Sequence, residues 1–227
     1  MSESAGVPDA IKSGDLEKLQ QILRKEPGAA GARDEAGVSA LMNARYRNRQ
    51  DMVQALRDAG VELDIFEAAA LGEDARVKQC LAGNPKLAQA WSADGFTALH
   101  FACFFGQESA ARLLLAAGAD SRAVAKNPTG VQPLHSAAAA RQAGIARLML
   151  DAGAEVNARQ QGGWTALHSA ANSGDAALAE LLLGRGADAS LANDQGKSAA
   201  AQAAEKGFAA LAQRLERAAR GGVKPAG

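Results

Sequence analysis

Asp94-Gly95-Phe96-Thr97-Ala98-Leu99-His100-Phe101-Ala102-Cys103-Phe104-Phe105-Gly106, continued by Gln107-Glu108-Ser109-Ala110-Ala111-Arg112-Leu113-Leu114-Leu115-Ala116-Ala117-Gly118-Ala119-Asp120, reads as two short helices joined by a turn. Thr97 is placed to cap the first helix by accepting the His100 amide, and the imidazole can bond back toward the cap. Leu99, Ala102 and Cys103 share one helical face, and Gly106 can take the left-handed conformation that stops the helix after about two turns. Ala110, Leu113 and Leu114 line the second helix, which Gly118 closes. Two such helices cannot bury their apolar faces alone, so the chain must supply neighbours.

The neighbours are copies. Leu99-His100 recurs as Leu134-His135 after 35 residues and as Leu167-His168 after 33 more, with Gly118, Gly153 and Gly186 in the same closing position. The starts Phe-Thr-Ala-Leu-His, Val-Gln-Pro-Leu-His and Trp-Thr-Ala-Leu-His each lead into Ala-rich helices and an ending such as Leu-Leu-Leu-Ala-Ala-Gly-Ala-Asp. The pattern resembles the ankyrin repeat, which has a period of about 33 and a Thr-Pro-Leu-His start. The resemblance implies an all-α solenoid of six to seven helix-turn-helix units with short β-hairpin fingers, acting as a protein-binding module.

The units are read as 1–33 (an N-terminal cap), 34–63, 64–93, 94–128, 129–161, 162–194 and 195–220 (a C-terminal cap), in one domain, with 221–227 as a disordered tail. The first, with Gly14 in the place of Gly106, has no Leu-His start, as expected of a repeat with one face unpartnered. In the second, Gly37, Ser39 and Leu41 match Gly95, Thr97 and Leu99, whereas Met42 replaces the histidine and Asn48 the helix-ending glycine. Ile65 follows Gly60 after only five residues, where Leu134 lies 16 beyond Gly118 and Leu167 14 beyond Gly153. The finger before the third unit is therefore missing, and a gap in the finger row is expected there. The finger between Gly118 and Leu134 is longer and holds the turn signal Asn127-Pro128-Thr129-Gly130. Arg141 stands where other units have glycine, at a cost of about 1 kcal/mol if the left-handed conformation is kept.

The chain has 227 residues, 48% of them apolar, and a formal net charge of zero. No molecule-wide field recruits nucleic acid or an anionic membrane, and no stretch reaches the roughly 18 apolar residues of a membrane span. Without a basic-then-apolar leader, a soluble, cytoplasmic monomer is expected. Cys80 and Cys103 sit at Ala- and Leu-rich helix positions and imply no disulfide framework.

Three histidines invite a zinc reading, but equivalent residues in stacked helical units lie roughly 8–10 Å apart, whereas zinc ligands sit about 2 Å from one ion. Ser136, Ser169 and Cys103 lie near histidines without a nucleophile motif, and Gly196-Lys197-Ser198 lacks the first glycine of a phosphate loop. No catalytic residue, metal or other cofactor is expected. Arg45, Arg47 and Arg49, with Tyr46 among them, form a basic cluster diluted by Asp51 and Asp58. It reads as a solvated helix end or a contact for an acidic patch on a partner. A nucleic-acid site is the alternative.

Aromatic placement is the best pointer to a site. Trp91, Phe96, Phe101, Phe104 and Phe105, five of nine aromatic residues, fall within 15 positions. The resemblance places Trp91 and Phe96 on a finger and Phe104 and Phe105 on the concave side, with Phe101 packed between units. The expected protein-binding strip is Phe96, Phe104, Phe105 and Trp164, bordered by Trp91, Val131, Arg141 and Asn172. The alternative is that the rings cover one another and fill the notch left by the missing finger.

Overall fold

The computed structural model describes residues 6–221, whose helices form seven antiparallel pairs. They are α1 (Gly6–Ser13) with α2 (Leu16–Lys25), α3 (Ala40–Tyr46) with α4 (Gln50–Asp58), α5 (Ile65–Leu71) with α6 (Asp74–Gly83), and α7 (Ala98–Phe104) with α8 (Glu108–Ala116). The last three are α9 (Pro133–Ala139) with α10 (Ala143–Asp151), α11 (Ala166–Asn172) with α12 (Ala176–Gly184), and α13 (Ala199–Glu205) with α14 (Ala209–Gly221). The first helices of successive pairs pack in one continuous row. Gly221 ends α14, and the rest of the expected disordered tail lies outside the described residues.

Alanine makes that row possible. Ala98, Ala102, Ala137, Ala138, Ala166, Ala170 and Ala171 are buried, and their small side chains let neighbouring helices approach closely. Leu99, Leu134 and Leu167 fill the space between the rows, each burial stabilising by about 1.5–3 kcal/mol. The turns inside the pairs are left-handed even without glycine, with φ of 55° at Asn48 and 59° at Arg141.

The fingers are narrower than hairpins. Among the described residues there is no strand, only single antiparallel bridges at Arg33–Ser39, Trp91–Thr97 and Ala192–Ser198. The fingers bond along their row instead. The amides of Lys126, Gln161 and Asp194 donate to the carbonyls of Gly95 (2.8 Å), Thr129 (2.9 Å) and Gly162 (2.9 Å) in the preceding finger. Gly95, at φ 82°, sits so close that a Cβ would lie 2.7 Å from the Lys126 carbonyl oxygen.

Before α5 the chain runs from Gly60 to Asp64 with no finger. The flanking fingers close over the space, and a Cβ on Gly37 would lie 3.1 Å from that of Ala93. Beneath this contact the core divides. One cluster runs from Val7 to Leu56, a second from Ile65 to Leu215, and a third, built on Met42, Ala70 and Phe101, spans the junction. Arg33–Asp64 (3.2 Å) and Arg57–Glu73 (2.6 Å) add ion pairs across it, but exposed pairs contribute at most about 1 kcal/mol.

Because each unit is held mainly by its neighbours, the divided core predicts two opening reactions. Hydrogen exchange in increasing urea is expected to show α1–α4 amides opening at lower free energy than those of α7–α12, and Phe101→Ala should widen the difference. Uniform protection across both segments would show that the junction is as strong as the others.

Candidate functional site

The three histidines join one unit to the next. Nδ1 of His100 accepts the Thr97 amide (3.2 Å), which leaves the proton on Nε2 to be donated to the Val131 carbonyl (3.1 Å) in the following finger. His135 takes the Gln132 amide (3.0 Å) and gives to Ala158 (2.9 Å), and His168 takes Thr165 (3.2 Å) and gives to Lys197 (3.1 Å). Both nitrogens of each ring are committed. Burial lowers all three pKa values, that of His100 to about 4. These imidazoles are therefore neutral structural ties at physiological pH. Cys103 is fully buried, and its thiol pKa is pushed up by desolvation.

The basic cluster is dispersed. Arg49 bonds the Gly14 carbonyl (2.8 Å) and pairs with Asp51 (2.7 Å), tying the first two units together. Arg47 is exposed. Arg45 lies over the Phe105 ring at 4.4 Å from its centroid, where burial lowers its pKa and Nε is buried without a hydrogen-bond partner.

Phe101 is buried, Phe96 and Phe105 are half-buried, and Phe104 is 46% exposed. Rings connect through Phe104–Phe105 (5.1 Å between centroids), Phe105–Tyr46 (6.2 Å), Tyr46–Phe101 (6.3 Å), Phe101–Phe96 (5.7 Å) and Phe101–Phe66 (6.2 Å). The rings thus do cover one another across the junction. They still leave a cavity of about 260 Å³ beside them, walled by Tyr46, Phe96, Phe101, Phe104, Val131 and Ala139, and lined also by His100, His135, Ser136, Thr129 and Gln160. Tyr46 and Phe104, two of the four large apolar residues exposed among those described, both stand at this cavity.

The other expected positions lie apart from it. Trp91, under Lys126 at 4.7 Å, lines a smaller cavity of about 150 Å³ between the closed-up fingers. Trp164 is half-buried against His168, with centroids 5.9 Å apart, and makes no ring pair with the cluster among the described residues. Arg141 faces Asp175 at 3.8 Å, and Asn172 ends α11. Neither lines the cavity.

Sequence reasoning missed Tyr46 and Phe66 as members of the site. Tyr46 is some 50 residues from Phe96, and only the omitted finger brings the second unit against the fourth. Its hydroxyl donates to Asp94 at 2.5 Å, and burial followed by this carboxylate raises its pKa. Met42 and Tyr46, one helical turn apart, were the available signal.

Ankyrin repeats (3 copies) match residues 65–160, and ankyrin repeats (many copies) match 149–204. Together they span more than half of the chain, which belongs to the ankyrin repeat family. The matched residues begin at Ile65, where the core divides. Among curated proteins none matches the chain at a significant level.

The neutral histidines make stability depend on pH. Unfolded, they titrate near 6.5; folded, they resist protonation, so the unfolded state binds more protons as pH falls below that value. The stability they contribute is complete above about pH 6.5 and is lost progressively toward the folded value of about 4 for His100, which alone accounts for on the order of 3 kcal/mol. Burial raises the Glu67 pKa, which acts in the opposite sense and offsets part of the loss. Urea midpoints from pH 7.5 to 4.5 are expected to fall, with a shallower slope in His100→Gln. An unchanged slope in that variant would remove His100 from the account.

Proposed function

We propose that this protein is a non-catalytic, monomeric, cytoplasmic interaction module that binds a protein partner on the concave face formed by its fingers and first helices, without metal or cofactor. Ankyrin repeats are in general protein–protein interaction modules. The observation that carries the reading is the half-exposed Phe104 at the mouth of an apolar cavity. An exposed ring that loses little rotamer entropy on binding is the usual form of a hot spot. The engaged, neutral histidines support a non-catalytic role, since Ser136 has no free base beside it. No helix among the described residues is long and apolar enough to cross a membrane.

The proposed surface centres on Phe96, Phe104 and Phe105. Val131 walls the cavity with Phe96 and Phe104, and Trp91, Arg141, Trp164 and Asn172 form the extension of this surface along the fingers and helix ends.

Phe104→Ala is expected to cost about 0.5–1.5 kcal/mol of folding stability, the worth of its edge contact with Phe105, and to weaken partner capture by more than 1 kcal/mol, about fivefold or more. Leu114→Ala, fully buried, is expected to cost about 2–5 kcal/mol of stability. Urea melts with quantitative pull-downs from native extract separate the two. Full-strength capture by a folded Phe104→Ala would move the partner to another surface.

A further inference from the structure

The cavity beside Phe104 and the guanidinium of Arg45 together specify more than a generic partner. The cavity, at about 260 Å³, lies below the roughly 300–1,000 Å³ of small-molecule sites and suits one or two inserted side chains. Its walls are largely aromatic and aliphatic, with Ser136, Thr129 and Gln160 as further polar residues. The imidazoles that line it already have both nitrogens bonded, so a polar group entering there would lose its water without gaining a donor or acceptor from them. The inserted group is therefore apolar.

The charges beside the cavity are unbalanced. Eleven arginines, including Arg33, Arg76, Arg159 and Arg185, have a carboxylate oxygen within 4.0 Å, whereas Arg45 and Arg47 have none among the described residues. The others without one, Arg24, Arg147 and Arg217, are exposed, but Arg45 is half-buried against Phe105 with its Nε unpartnered. A partly desolvated cation with no counter-charge is costly until an anion reaches it. Asp94 does not fill this role: its two oxygens accept from the hydroxyls of Tyr46 and Ser92, and no ion pair joins it to Arg45, whose pKa is lowered by burial. The guanidinium lies 4.4 Å from the Phe105 centroid, which is 5.1 Å from that of Phe104. Arg45 is thus within about 10 Å of the cavity wall, the reach of about three residues of extended chain.

We propose, building on the protein-binding reading above, that the partner presents an extended acidic segment: one large apolar side chain enters the cavity between Tyr46, Phe104 and Val131, and an Asp or Glu two or three residues away meets Arg45. Thr129 and Gln160, which also line the cavity, supply polar groups for the segment's backbone. Since Tyr46 belongs to the second unit and the other walls to the fourth and fifth, the segment also bridges the divided core.

The test is selection of a random 12-residue phage-displayed peptide library on the full chain, followed by fluorescence anisotropy of the enriched peptides. The expected consensus is a Phe, Leu, Ile, Met or Trp with Asp or Glu two or three positions away. Affinity should fall tenfold or more in Phe104→Ala, and about five- to tenfold in Arg45→Gln or when the peptide acid is replaced by its amide. Arg45→Lys should restore part of the loss. Urea midpoints of each variant exclude unfolding as the cause. Peptides that need Phe104 but are indifferent to Arg45 and to their own acids would overturn the acidic segment and leave the surface standing. Peptides indifferent to both, or no enrichment, would overturn both readings. A dimer in sedimentation that Phe104→Ala dissociates would assign the cavity to a second copy of the chain.

Discussion

The structure rests on a shortage of buried surface within any one unit. A helix of seven residues against one of nine covers too little apolar area to offset its conformational entropy, and isolated helices of this length are marginal in water. Stacking removes the shortage but brings the polar starts of the first helices into the interior. The buried imidazole resolves that conflict. It satisfies an amide of its own helix start and a carbonyl of the next finger at once, at His100, His135 and His168. An amide nitrogen or carbonyl left unpaired in such a place would cost about 1–3 kcal/mol. The same ring therefore caps a helix, sets the spacing between units and stays neutral.

The third unit shows what happens when this tie is not available. Met42 precedes it and cannot bond, and there is no following finger to receive a bond. Asp64 and Glu67 stand where Thr97 and His100 stand in the fourth unit. They form the capping box, with the Asp64 amide donating to Glu67 at 2.8 Å, and Glu67 reaches back to the Ser39 hydroxyl of the preceding unit. The tie thus runs backward where every histidine runs forward. It also brings two carboxylates together, and the ion pair of Asp64 with Arg33 at 3.2 Å compensates part of that repulsion.

Periodicity made most of the fold legible. The Leu-His spacing, the closing glycines and the short interval before Ile65 pointed to a stack of helix pairs and an omitted finger, because each is a local consequence of backbone geometry. Asn48 and Arg141 kept the left-handed turn because position in the repeat outweighs residue preference. The gap expected beside Ile65 was harder to read. Its closure depends on how far the neighbouring fingers move together, a distance no local pattern encodes. For the same reason Tyr46 was read with the arginines around it, although its ring joins Phe101 and Phe105. Phe96, Phe104 and Phe105 were visible as an aromatic excess, and the excess held two kinds of ring. Some fill the closed junction and some face the cavity.

The omitted finger and the aromatic excess are connected physically. Removing a finger deprives the junction of the backbone bonds that tie the other fingers, since those between the fourth and seventh units are joined amide to carbonyl. The second and fourth units must then be held by side chains. Aromatic rings suit this, because few rotatable bonds are lost for the area buried. Rings large enough to span the junction do not end at its edge. Tyr46 and Phe104 continue past Phe101 and Phe105 into the open face, where they wall the cavity with Val131. A surface of this kind could not arise between the regular fifth and sixth units, whose fingers are already bonded and whose first helices meet through alanine. The defect in the repeat and its apolar surface have one cause.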